Sequence, residues 1–111
     1  MTKAIVRIRA PARRDLTAYA NWLRAEVNIE TSQRFAAQAD ATFSKLAGNP
    51  KLAPAIPSQN IRLSDVRKWR VESFPKMLIF YAPISGGVRI IRVLHTAQDW
   101  WAALDIVSDG E

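Results

Sequence analysis

From Val66 to His95 the chain reads as three β-type runs, VRKWRVESF, MLIFYA and VRIIRVLH, joined by very short connections. Parallel neighbours need a crossover of a dozen residues or more, so strands this close in sequence must pair antiparallel, as a meander. In the first run Arg67, Trp69 and Val71 alternate with Lys68, Arg70 and Glu72, the period of a strand with two unlike faces. MLIFYA is apolar almost throughout, as expected of a central strand covered on one side. In PISGG, Gly86 and Gly87 supply the positive φ that a tight hairpin turn requires.

Upstream, AIVRIRA sets Ala4, Val6 and Ile8 against Arg7 and Arg9, a half-buried strand. Pro11 suits the first turn of a helix. Leu16, Tyr19, Ala20, Leu23 and Val27 then keep helical spacing and predict one buried stripe. After a break at Asn28, Phe35, Ala39, Phe43 and Leu46 share a second helical face, which Gly48 and Pro50 end. Two amphipathic helices so closely joined predict an antiparallel hairpin. Residues 51–60 carry Pro54 and Pro57 without periodicity and read as a loop. Thr96 and Asp99 form a capping-box pattern for a short C-terminal helix through Ile106. The sum is an α+β fold spanning residues 1–111 as one domain: an N-terminal strand, a helix hairpin, and a three-stranded meander that completes a four-stranded sheet.

Absence of cysteine excludes disulfides and thiolate metal sites, and one histidine among scattered carboxylates has no ligand spacing, so neither metal nor cofactor is expected. No apolar stretch is long enough to span a bilayer and the opening residues do not resemble a signal peptide, so a cytoplasmic, membrane-free protein is expected. The formal net charge of +6 favours an acidic protein or a nucleic acid as partner.

The segment VRKWRVESFPKMLIFYAPISGGVRIIRVLHTAQDW resembles the signature of ParE-like toxins, within the RelE/ParE superfamily of bacterial type II toxin–antitoxin systems. The matching residues are Phe74, Pro75, Ile79, Phe80, Tyr81, Arg92, Val93, Leu94, His95 and Asp99. The order strand, helix hairpin, meander fits as well. One departure is Gln98, where the family carries an arginine before the aspartate. The resemblance implies a growth-inhibiting toxin held inactive by a cognate antitoxin with an acidic tail. It implies DNA gyrase as the target of the ParE-like branch, and ribosome-dependent cleavage of messenger RNA for RelE-like members. Direct contact with nucleic acid is then expected only through the antitoxin or the ribosome.

Metal-free RNA cleavage needs a base, an acid and cations around the phosphate. The candidates are His95, Arg70, Arg92 and Tyr81; no arginine, lysine, histidine or tyrosine follows His95. With that equipment thin, no catalytic residue is assigned, and His95 reads as a strand-end residue bonded to backbone or to Asp99. Arg67, Lys68, Arg70, Arg89 and Arg92, with Glu72 the only acid in those strands, predict a cationic sheet face that contacts the antitoxin. An antitoxin helix or strand is expected against the helix hairpin and the sheet edge. His95, Gln98, Asp99, Trp100 and Trp101 are expected to contact the target, with Trp100 and Leu104 sealing the sheet and Trp101 exposed. Trp22 and Trp69 read as packing residues. A relic that binds antitoxin without toxicity stays open as an alternative.

Overall fold

The computed structural model describes residues 4–57 and 65–104. Its elements are β1 (Ile5–Ile8), α1 (Ala10–Glu26), α2 (Ile29–Gly48), β2 (Arg67–Val71), β3 (Phe74–Ile84) and β4 (Gly87–His95), and residues 100–104 are helical. The sheet runs β1-β4-β3-β2: β2, β3 and β4 form the antiparallel meander, and β1 pairs parallel to β4. The α+β fold and its four-stranded sheet are therefore as the sequence implies.

Local chemistry explains the helix ends. Pro11 occupies the first turn of α1. Asn28 is extended, and its side chain accepts a 2.7 Å hydrogen bond from the Thr31 N–H, capping α2. The buried Ser32 hydroxyl donates to the Ala20 carbonyl at 2.7 Å and ties the two helices together. Phe35, Ala39, Phe43 and Leu46 are buried as their spacing requires, against Met77, Ile79, Tyr81, Val88, Ile90 and Val93 of the sheet. In α1 the stripe is buried only at Leu23; Leu16, Tyr19 and Ala20 are half-buried, and Val27, which caps the helix end, is exposed.

β3 is covered on both faces, not on one. Ile56, Val66, Phe80, Ile91, Leu94 and Leu104 form a second apolar cluster behind the sheet, closed by residues 100–104. Alternation along β3 sends Met77, Ile79 and Tyr81 to the helix-side core and Leu78, Phe80 and Ala82 to the second cluster, while its pairing with β4 shifts between Phe80 and Tyr81 and leaves Ile91 as an extra residue on β4. The bulge resets the alternation: Ile90 and Val93 face the helices, while Ile91 and Leu94 face away.

The outer edge of β2 is blunted at both ends. The Ile56 N–H donates to the Val66 carbonyl at 2.9 Å beside an Ala55–Arg67 bridge, and the Glu72 N–H donates to the Thr42 hydroxyl at 3.1 Å. Two smaller expectations change. Of the two turn glycines, Gly86 takes positive φ, at 83°, and Gly87 does not; Gly87 is needed because any Cβ there would meet the Ile5 backbone oxygen. The last helix is capped by Asp99, whose carboxylate accepts from the Ala102 N–H at 3.3 Å, and not by Thr96, whose N–H donates to the Lys76 carbonyl at 2.8 Å. The expected end of that helix near Ile106 lies outside the described residues.

Candidate functional site

The five expected cations of the sheet do not form one face. Arg67 points to the helix side and donates to the Ala53 carbonyl at 2.6 Å, with Asp65 at 3.4 Å. Lys68 lies on the opposite side, its ammonium 5.2 Å from the centre of the Trp100 ring. The Arg70 guanidinium sits 5.1 Å from the Trp69 ring, which Lys45 of α2 flanks at 5.9 Å. Arg89 is exposed and stands beside Arg7 in the β1–β4 register.

Arg92 is withdrawn altogether. It grips Asp15 of α1 with two bonds, 2.6 and 2.8 Å, and Asp15 also accepts from the Val93 N–H at 3.0 Å. Both side chains are largely buried, at 17% and 14% exposure, so this pair is a fixture between helix and strand. The hydrogen bond that Arg92 donates to Asp15 outweighs burial and holds the guanidinium charged beyond its ordinary range. Asp15 was not a sequence candidate; its one signal is that it is the sole acid of its turn, after Arg13 and Arg14.

The end of β4 is a closed turn. The His95 N–H donates to the Gln98 side-chain oxygen at 2.7 Å, the Gln98 N–H donates to the His95 carbonyl at 2.9 Å, and the Ala97 N–H donates to His95 Nδ1 at 3.0 Å. His95 is therefore bonded to backbone, as expected, and Asp99 is not its partner. Gln98 supplies an acceptor that an arginine in its place lacks. The imidazole tilts against Tyr19 at 6.4 Å and borders a shallow pocket with Asp15, Trp22, Met77 and Gln98.

Tyr81 lies fully buried among the helix-side core residues. Its hydroxyl donates to the Pro50 carbonyl at 2.9 Å and accepts from the Ala53 N–H at 3.4 Å. Burial pushes the phenol above its ordinary pKa of 10.0. Of the four nuclease candidates, Tyr81 is a peg in the core, Arg92 is bound to Asp15, Arg70 lies on β2, and His95 stands at the end of β4. Tyr81 and Arg70 lie away from the end of β4, whereas Asp15, the partner of Arg92, lines the same pocket as His95.

The tryptophans divide as expected at residues 100 and 101 and otherwise at Trp22. Trp100 packs on Phe80, with ring centres 5.1 Å apart, while Trp101 keeps 37% exposure. Together with Pro54, Ala55, Ile56, Pro57 and Lys68 they line a groove of about 380 Å³. Trp69 packs against the helix-side core. Trp22 does not: it is 53% exposed and stacks flat on Tyr19, and Val27 and Ile29 lie exposed at the same end of the hairpin. That apolar hairpin end was missed because Val27 fits the stripe of the first helix and Trp22, taken singly, reads as a packing residue.

A family model described as "ParE toxin of type II toxin-antitoxin system, parDE" matches residues 6–100. A solved structure described as "Chromosomal ParDE TA system from P. aeruginosa" has the same fold: the TM-score is 0.67 at 14% identity, over 84% of this chain and 96% of that one. Comparison with curated proteins gives no match.

Proposed function

Because this chain belongs to the ParE toxin family of type II toxin–antitoxin systems, we propose that it arrests growth by binding DNA gyrase, with no bond-breaking chemistry of its own, and that a cognate antitoxin neutralises it. The observation that supports this reading is that two of the ionisable groups a nuclease would use are already engaged within the fold. A nuclease must gather a base, an acid and cations within reach of one phosphate. Here the Tyr81 hydroxyl is committed to Pro50 and Ala53, and the Arg92 guanidinium to Asp15. What the surface offers instead is exposed indole and aliphatic area at two separate places, the material of protein–protein contact. A target such as gyrase places the action in the bacterial cytoplasm.

The antitoxin is assigned to the hairpin end, where Trp22, Val27 and Ile29 are exposed. An apolar helix face laid there covers them. Strand addition at β2 is disfavoured, since Ala55, Ile56 and Thr42 already engage that edge. Arg67 and Arg92, expected to meet the antitoxin, act through the fold in this reading.

Induction of the toxin in cells tests the target, with plasmid topology and messenger RNA integrity read from one culture. The expected result is lost supercoiling or DNA breaks with intact transcripts. Codon-phased transcript cuts with normal topology would overturn the reading in favour of ribosome-dependent cleavage. Growth and topology both unaffected would mark a relic that keeps only antitoxin binding.

A further inference from the structure

We infer that the groove between residues 54–57 and the 100–104 helix is the surface that docks the target protein, through an acidic segment that seats an apolar side chain against Trp101 and sets a carboxylate on Lys68. This rests on the reading of gyrase as target and names the part of the toxin that meets it.

The aromatic wall is built in an unusual way. Adjacent residues on a helix diverge by about 100°, so Trp101 should point away from Trp100. Instead the two ring centres are 4.2 Å apart with their planes 32° from parallel. Trp101 folds back over Trp100, which itself rests on Phe80, so three rings are stacked outward from the core to the surface. The inner rings hold the outer one in place, and an anchor that is already ordered loses little freedom on binding. The facing wall carries Pro54 and Pro57, also stiff.

The charge at the groove selects the occupant. Among the described residues that line it Lys68 is the one ionisable group, and its ammonium lies over the Trp100 ring. That cation is complementary to an acidic group, and a net charge of +6 draws an acidic segment toward it. Because the neighbouring edge of β2 is engaged by Ala55 and Ile56, the segment docks by its side chains and does not extend the sheet.

The test uses the whole chain, purified gyrase and the co-expressed antitoxin. Wild type, Trp101→Ala, Lys68→Glu and, as a charge-matched control on α1, Arg13→Glu are compared for inhibition of supercoiling and for antitoxin binding, with a thermal melt for each. Trp101→Ala and Lys68→Glu are expected to need roughly tenfold more protein for half inhibition, and to bind antitoxin as wild type does. Arg13→Glu should inhibit normally. If Trp101→Ala melts early, Lys68→Glu, which alters an exposed side chain, decides alone. Undiminished inhibition by either folded variant overturns the proposal and leaves gyrase as the target. Loss of antitoxin binding with inhibition kept assigns the groove to the antitoxin. A wild-type protein that leaves supercoiling untouched overturns both this proposal and the reading beneath it.

Discussion

At the scale of single residues, Tyr81 shows how a signature residue can serve the fold. Its ring lies in the core and its hydroxyl holds the Pro50–Ala53 segment by two backbone bonds. Burial raises its pKa above 10.0, so the folded protein keeps the phenolic proton after the unfolded chain has released it. The stability that this contributes is complete below about pH 10 and is lost as pH rises through the folded pKa. Tyr81→Phe should cost about 1–2 kcal/mol near pH 7, because it leaves Pro50 and Ala53 without their partner. As pH rises above the ordinary phenol pKa of about 10 the gap between the two proteins should narrow, since only the wild type loses this contribution. Thermal unfolding of both across that range checks it: a gap that stays constant would mean the hydroxyl does not titrate as its burial requires. Tyr19 is present in both proteins and cancels.

At the scale of elements, Gly87 carries the attachment of β1. It faces Ile5 in the parallel register, and a Cβ built on it would lie 1.8 Å from the Ile5 carbonyl oxygen. Since that obstacle is backbone, it cannot rotate aside: β1 must leave β4, taking Val6 and Ile8 off the core they pack against. Gly87→Ala is expected to cost roughly 3 kcal/mol or more. Gly86→Ala, strained only by its φ of 83°, should cost about 1 kcal/mol. Denaturant unfolding ranks the two, and equal costs would remove the steric argument. The same glycine marks how far the sequence could be read. Helices, meander and turn were legible because their signals are local: a 3.6-residue period, alternation, a glycine pair. The task of Gly87 was not, because the obstacle comes from a strand some eighty residues earlier in the chain. The bulge at Ile91 was equally silent: strict alternation sends Arg89 and Arg92, three residues apart, to opposite faces, and no local pattern marks where an extra residue resets it. Trp100 and Trp101 were legible as a pair with unlike exposure; their stacking was not, since side-chain rotation leaves no trace in spacing.

At the scale of the whole molecule, charge and apolar surface should act on different steps of antitoxin capture. The net charge of +6 is spread over several elements: Arg7, Arg89, Lys68 and Arg70 on the strands, Arg13 and Arg14 on α1. Charge so distributed sets the long-range field and hence the rate of encounter with an acidic tail, and salt screens it. The exposed Trp22, Val27 and Ile29 make short-range contact, which governs how long the complex lasts. Raising ionic strength from about 0.05 to about 0.5 M should therefore slow association several-fold and leave dissociation nearly unchanged. Trp22→Ala should do the reverse, speeding dissociation roughly tenfold at an unaltered association rate. Trp22 is more than half exposed and its main partner is Tyr19, so the variant should fold. Stopped-flow mixing of toxin with its antitoxin separates the two rates. Dissociation that quickens with salt while Trp22→Ala changes nothing would move the interface off the hairpin end and onto the arginines. The tryptophan that packs no core would then have no partner to explain its exposure.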